Sequence, residues 1–135
     1  MNKKLKFYNM VSTINKKLVK KYWDAMSGKA KTPTLSKVYV SDPELLGHIA
    51  FFEAAFPKYE LSADDFISED DKVVVRARFK GVHKGDLMGI PPTGKSVDVP
   101  FTIIYQIADE KISKSWLFLD RMELVDQLVV KPSHN

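Results

Sequence analysis

The spacing of apolar residues changes once along this chain, and the change divides it into a helical part and a strand part. Before Pro57 the apolar residues recur every three or four positions, which is typical of helices that bury one face. After Pro57 they recur at every second position, as in strands with one buried side. Helices followed by strands with short turns predict an α+β domain with an antiparallel sheet.

Capping signals mark the ends of two helices before Pro57. The first is predicted over Val11 to Met26, and Gly28 is placed to end it. The second begins with Pro43 after an N-cap at Ser41 or Asp42 and stops at Pro57. Between them, residues 29–36 are predicted as a polar connection and residues 38–40 as a short strand or extended entry.

Four strands and a short terminal helix are predicted after Pro57. The strands cover 59–68 with a bulge around Asp64 and Asp65, then 72–83, 96–108 and 112–119, and the helix covers 121–129. Three glycines and two consecutive prolines make residues 84–95 an irregular loop. Such a sheet, curled around the helices, encloses a hollow, and the many large rings support this. These rings are Tyr22, Trp23, Phe51, Phe52, Phe56, Phe79, Phe101, Tyr105, Trp116 and Phe118.

Composition narrows the chemistry and the partners. The 135 residues predict one domain, with frayed tails at 1–10 and 131–135. With no cysteine and three scattered histidines, neither a disulfide framework nor a metal site is expected. No apolar run approaches the ~20 residues of a membrane span, and no signal peptide is evident, so we expect a cytoplasmic protein without a membrane partner.

The net charge of +4 comes largely from lysines near the start of the chain. A basic helix face can bind phosphates, with nearby rings stacking on bases. The alternative is the solvated face of an amphipathic helix, and the mixed charges of the later segments favour that alternative. We therefore expect no nucleic-acid partner. The lysines concerned are Lys3, Lys4, Lys6, Lys16, Lys17, Lys20 and Lys21.

Three stretches of the strand half carry a family resemblance. The run from Phe79 to Gly94 contains Met-Gly-Ile-Pro-Pro-Thr-Gly, and it is followed by Lys111-Ile112-x-x-x-Trp116-x-x-x-Asp120 and the ending Leu124-x-x-Gln127-Leu128. Together with the helix end Ala-Ala-Phe-Pro at 54–57, this resembles the SnoaL-like polyketide cyclase family over about residues 42–129. The resemblance implies a nuclear transport factor two-like, ketosteroid isomerase-like cone, with a curved antiparallel sheet wrapped around the N-terminal helices, an apolar pocket and commonly a homodimer.

The same resemblance implies a chemistry and a candidate base. Family cyclases close a ring by intramolecular aldol condensation without metal or cofactor, using an acidic residue that looks like Asp120 here. On a strand Asp120 shares a face with Trp116 and Phe118, so it would be partly desolvated and its pKa raised. The alternative is structural, because Asp120 and Glu123 have the spacing of a capping box and the aspartate could begin the terminal helix.

His83 and Gln106 are the candidate partners of Asp120. His83 ends the second strand and could hydrogen-bond an enolate or orient Asp120, or simply bond a nearby backbone carbonyl. Gln106 reaches Asp120's side only if the 109–110 turn is bulged, because a strict two-residue turn pairs Trp116 with Ile103. His48 lies beside the core stripe of the second helix and is expected to be structural or at the surface.

The predicted ligand is a small apolar or aromatic carbonyl compound. The residues expected to bind it are Tyr22, Trp23, Phe52, Phe56, Phe79, Met88, Phe101, Ile104, Trp116 and Phe118. The loop 85–94 is either a lid over this pocket or a rigid connection. The leading function is a cofactor-independent cyclase or isomerase. A noncatalytic small-molecule binder or protein-association module of the same fold is the alternative, and a carboxylate-dependent hydrolase is a weaker one.

Overall fold

The computed structural model describes residues 2–129 and contains four helices and four strands in this part of the chain. In chain order they are α1 (Lys3–Met26), α2 (Pro33–Tyr39), α3 (Pro43–Ala55), β1 (Glu60–Glu69), β2 (Lys72–Val82), β3 (Ser96–Ala108), β4 (Lys111–Leu119) and α4 (Arg121–Leu128). The strands form one antiparallel sheet in the order β1-β2-β3-β4. The predicted α+β class is therefore confirmed.

Helix α1 is longer than the sequence pattern indicated. It begins at Lys3, because the Asn2 side chain accepts a hydrogen bond of 2.8 Å from the Leu5 amide and caps the helix there. Residues 3–10, which were expected to belong to a frayed tail, are therefore helical in this structure. The predicted tail at 131–135 lies outside the described residues. Only the second half of α1 is packed, since its buried residues all lie between Asn15 and Met26.

Helix α2 replaces a predicted connection and short strand. Thr32 caps it by accepting a 3.2 Å hydrogen bond from the Leu35 amide, and Pro33 occupies its first turn. Of residues 38–40 only Val40 lies outside the helix, and it forms a single parallel bridge with Ile112 at the start of β4. The prediction failed because seven residues give too little periodicity to outweigh the polar composition.

Helix α3 and the first hairpin follow the sequence closely. Asp42 caps α3 by accepting from the Glu44 amide, and the helix ends before Pro57 as predicted. Strands β1 and β2 pair from Glu60 with Lys80 to Glu69 with Lys72, and the register shifts between Ala63 and Asp65, where a bulge was predicted.

A second bulge determines which residues of β4 face inward. The β3–β4 turn is the two-residue Asp109–Glu110, with φ values of 51° and 61°, but the register shifts between Gln106 and Ile107. Trp116 consequently pairs with Ile104, not with Ile103. Because pleating alternates the faces, Leu117 and Leu119 lie on the helix side of the sheet, and Trp116 and Phe118 lie on the other side.

Candidate functional site

An apolar cavity lies between the helices and the inner face of the sheet. All four strands and three of the helices contribute side chains to it, so the sheet encloses the hollow that the ring-rich sequence predicted. The lining residues are Tyr22, Leu45, His48, Ile49, Phe52, Tyr59, Leu61, Phe79, Phe101, Ile103, Tyr105, Leu117, Leu119 and Leu124.

This inner cavity is small and adjoins a larger space. Its volume is about 60 Å³, which is room for a few waters or for one end of an organic molecule. An outer hollow of about 660 Å³ lies between α3, the 86–90 loop, β4 and α4. Five side chains line both spaces, so the two spaces are direct neighbours. They are His48, Phe52, Leu117, Leu119 and Leu124.

Three tyrosines give the inner cavity its polar groups. Tyr22, Tyr59 and Tyr105 all line it, and burial raises the pKa of each phenol above its ordinary value, so all three are protonated donors at neutral pH. The Tyr105 oxygen accepts a 3.0 Å hydrogen bond from the indole nitrogen of Trp23. That bond occupies an acceptor position and leaves the Tyr105 proton free to point at a guest.

His48 is the imidazole that faces both spaces. It lies on α3 between Leu45 and Phe52, which also line the inner cavity, and its ring forms no hydrogen bond with any residue in 2–129. Glu44, one turn earlier on the same helix, lines the outer hollow. The inner cavity has no aspartate or glutamate among its described lining residues. An imidazole nitrogen can accept a proton and return it, so His48 is the acid–base group that this cavity offers.

Asp120 does not occupy the position expected of a buried base. Its side chain is exposed and accepts a 3.1 Å hydrogen bond from the Glu123 amide at the start of α4. It lines neither the inner cavity nor the outer hollow. The expectation of a half-desolvated carboxylate among rings is corrected accordingly, and the capping alternative describes what the structure contains. The physical reason is the β4 register, which places Phe118 on the outside with 59% exposure.

His83 is fully buried and holds the 84–95 loop. Its Nδ1 accepts from the Thr93 amide at 3.2 Å and lies 3.0 Å from the Thr93 hydroxyl, so the ring proton is on Nε2. It contacts neither Asp120 nor either cavity, and its partner is a hydroxyl and an amide, not the expected backbone carbonyl. The loop is also anchored by Leu87, which is buried and exchanges two hydrogen bonds with Ile90. These contacts favour a rigid connection over a lid.

Gln106 lies on the outer face of the sheet, away from Asp120. Its amide nitrogen donates a 2.9 Å hydrogen bond to the Asp71 carboxylate, which lowers the pKa of Asp71. The bulge at 106–107 does bring Gln106 to the side of Trp116 and Phe118, but that side is turned from the inner cavity. The structure therefore does not assemble the predicted group of Asp120, His83 and Gln106.

The predicted ligand-binding residues divide into three groups. Tyr22, Phe52, Phe79 and Phe101 line the inner cavity, and Phe52, Met88, Trp116 and Phe118 line the outer hollow. Trp23, Phe56 and Ile104 line neither. Trp23 stacks behind Phe101 and supports Tyr105, Phe56 packs against His83 and Phe79, and Ile104 points to the outer face.

The predicted ligand-binding residues did not include His48, Tyr59 or Tyr105, although Tyr105 was among the rings expected around the hollow. The sequence contained a signal for two of them. Tyr105 is two and four positions after Ile103 and Phe101, so it lies on the same face of the strand. His48 follows Leu45 by three positions and precedes Phe52 by four, so it lies on the same face of the helix. Within residues 2–129 no group of three His, Cys, Asp or Glu side chains is placed to hold a metal ion. No helix in this range is long and apolar enough to cross a bilayer.

The fold and the enclosed cavity define a small α+β protein with a ligand-sized hollow beneath its sheet. The model of the SnoaL-like polyketide cyclase family matches residues 5–128, and the chain therefore belongs to that family. No curated protein sequence is a significant match.

Solved structures show the same fold at low sequence identity. A candidate SnoaL-like polyketide cyclase from Jannaschia sp. CCS1 is 23% identical with a TM-score of 0.76, and the match covers 90% of this chain and 96% of that one. AclR from Streptomyces galilaeus, a candidate hydroxylase, is 20% identical with a TM-score of 0.74 and coverages of 87% and 82%. IdmH from Streptomyces antibioticus, a candidate polyketide cyclase, is 20% identical with a TM-score of 0.68 and coverages of 84% and 97%.

Proposed function

We propose that this protein is a cofactor-independent cyclase or isomerase that uses His48 to move a proton within a small, mostly apolar carbonyl compound. The observation that carries the proposal is the lining of one apolar cavity by an unpartnered imidazole and three phenols. Membership of a family of cyclases supports the reaction class. Asp120 is not given the role of base, because it is exposed and caps α4.

The chemistry needs one base and one group of oxyanion donors. His48 removes a proton from the carbon next to the ligand's carbonyl, which leaves an imidazolium and an enolate. The hydroxyls of Tyr105, Tyr22 and Tyr59 donate to the enolate oxygen, where a cavity without bulk water makes each hydrogen bond strong. In a cyclisation the enolate carbon attacks a second carbonyl of the same molecule, and the new alkoxide takes the proton back from His48. Glu44 stabilises the imidazolium from one turn away.

The two volumes constrain how the ligand sits. The inner cavity accepts one carbonyl end, and the remainder of the molecule occupies the outer hollow between Phe52, Met88 and Trp116. His48 lies where these spaces meet, so it is next to the atoms between the ligand's two ends. A flat aromatic or polyene ketone fits this division, because most of the side chains that line the two spaces are apolar or aromatic.

Exchange of carbon-bound hydrogen tests the proposal without knowledge of the natural substrate. The full chain is incubated in D₂O with simple aryl methyl ketones, and proton NMR follows the loss of the α-proton signal. The wild type should accelerate exchange, and His48→Gln should abolish the acceleration. Tyr105→Phe should reduce the exchange rate by about 10- to 100-fold, because it removes one of the hydrogen-bond donors to the enolate oxygen. Asp120→Asn is the matched control and should exchange like the wild type. Exchange that survives His48→Gln but is lost in Asp120→Asn would overturn the assignment of the base.

A second candidate is a small-molecule binder without turnover. It is favoured by the apolar lining of the inner cavity, in which His48 is the one imidazole among the described lining residues. A binder would gain thermal stability from ketones in proportion to RT ln(1 + [L]/Kd) while leaving their α-protons unexchanged. The homodimer and the cytoplasmic location stay predictions.

A further inference from the structure

The first half of α1 projects from the domain and exposes apolar side chains that the cavity does not use. Phe7, Met10 and Ile14 are 56%, 54% and 54% exposed, and Leu5 and Tyr8 beside them are about as accessible. No residue of this helix before Asn15 is buried. Several exposed apolar side chains on one element indicate an interaction surface.

These apolar residues belong to one face together with lysines. Lys3, Phe7, Met10, Ile14, Lys17 and Lys21 are separated by steps of four and three, so they form a single line along α1, which we call the α1 stripe. Three apolar residues occupy the middle of the stripe, with lysines at both ends. Its residues in the packed half of the helix, Lys17 and Lys21, are exposed as well.

Charge distinguishes between the possible occupants of this stripe. The first acidic residue of the chain is Asp24, and seven lysines precede it. None of these seven forms an ion pair with a residue in 2–129. Pairing the stripe with a second copy of itself would bring lysines close to lysines, which opposes self-association. A partner of the stripe therefore needs negative charges that pair with the lysines and an apolar region that covers Phe7, Met10 and Ile14.

We propose that the α1 stripe lies on the surface of membranes that contain anionic phospholipids. A helix whose exposed face carries Phe, Met and Ile between lysines can insert the apolar side chains at the headgroup boundary, while the long lysine side chains at both ends of the stripe reach lipid phosphates. The absence of a membrane partner was expected because no apolar run can span a bilayer, but a helix that lies on the surface needs no such run. The cavity opens on other elements, so this proposal is independent of the proposed reaction.

Vesicle co-sedimentation of the full chain tests the proposal. The wild type should pellet with vesicles of phosphatidylcholine and phosphatidylserine but not with phosphatidylcholine alone, and 0.5 M salt should weaken the binding. Each lysine near an anionic surface strengthens binding by about 5-fold, so a Lys3→Gln, Lys17→Gln, Lys21→Gln variant should lose about 100-fold. A matched variant with Lys29, Lys80 and Lys84 changed to Gln, three exposed lysines elsewhere, should bind like the wild type.

The apolar half of the stripe requires its own variant. Phe7→Gln, Met10→Gln and Ile14→Gln together keep the charge and the helix propensity, and should reduce anionic vesicle binding by at least about 10-fold. Circular dichroism and thermal melting check that each variant remains folded. The proposal is overturned if this variant binds vesicles as tightly as the wild type, because the attraction would then be to any polyanion, including a DNA duplex. It is also overturned if vesicles do not bind while sedimentation velocity shows self-association that this variant abolishes.

Discussion

The indole nitrogen of Trp23 donates a 3.0 Å hydrogen bond to the hydroxyl oxygen of Tyr105 in the interior of the protein. Trp23 lies on α1 and Tyr105 on β3, so the bond joins the helical layer to the middle of the sheet. It also fixes the Tyr105 hydroxyl at the wall of the inner cavity, because the oxygen cannot move without leaving the buried indole N–H unpaired. The packing of the core and the geometry of the candidate site therefore depend on the same pair.

Replacing Trp23 with Phe should destabilise the protein more than a surface Trp→Phe change does. The lost hydrogen bond and the space left by the smaller ring together should cost about 2–4 kcal/mol in the free energy of unfolding. Urea denaturation measures this cost. Trp116→Phe is the control, since Trp116 lies on the outer side of the sheet and should cost less than about 1 kcal/mol. Equal costs for the two variants would mean that the Trp23–Tyr105 bond contributes nothing.

Asp120 should behave as a helix cap in mutagenesis. Asp120→Ala removes the acceptor of the Glu123 amide and should lower the free energy of unfolding by about 1 kcal/mol, while Asp120→Asn should cost only a few tenths because Asn is an equally good cap. Asp24→Ala, at an exposed position of α1, should stay within about 0.5 kcal/mol of the wild type. A fully stable Asp120→Ala protein would argue against the cap.

Lys31 should make the stability rise between about pH 8 and pH 9.5. Desolvation lowers the pKa of this buried lysine to about 8, and the attraction of Glu53 offsets only part of the effect. The unfolded chain, with an ordinary lysine pKa near 10.4, binds the proton more tightly in this window, so raising the pH favours the folded state by about 1–3 kcal/mol. Lys31→Met should remove this rise, as measured by urea denaturation across the pH range.

Above about pH 10 the trend should reverse. Burial raises the pKa of Tyr22, Tyr59 and Tyr105, so these phenols ionise in the unfolded chain before they do in the folded one, and stability falls. Both the wild type and Lys31→Met should show this fall. A wild-type profile that matches that of Lys31→Met at every pH would contradict the assignment to Lys31.

Much of the fold could be read from local signals in the sequence. Asp42 and Pro43 begin α3 by a cap and a favoured first residue, and the alternation from Val73 to Phe79 gives a strand with one buried side. The bulge beside Asp64 was also visible, because the alternation breaks there. Helix α2 was not recognised, although Thr32 and Pro33 form the same kind of start signal, because a seven-residue helix has almost no periodicity of its own.

The candidate site was harder to predict because it depends on the register between strands. The bulge opposite Gln106 and Ile107 decides that Leu117 and Leu119 face the cavity, so one inserted position moved the β4 side chains from Lys114 onward to the opposite face from the one expected. The spacing along α3 places His48 on the face of Leu45 and Phe52, but that this face borders an open space depends on the distance between α3 and β4, which the sequence does not give. Family resemblance pointed to Asp120, but a family's reaction does not fix which residue of a particular chain carries it.

The most direct test of the central claim is a chemical-shift titration of isotope-labelled protein with acetophenone. The account predicts that the largest shifts occur at the inner cavity, in the side chains of His48, Tyr105 and Leu117, and that Tyr105→Phe weakens binding by about 5- to 10-fold, as expected for one lost hydrogen bond. Shifts confined to the outer face of the sheet, or saturation unaffected by Tyr105→Phe, would contradict it.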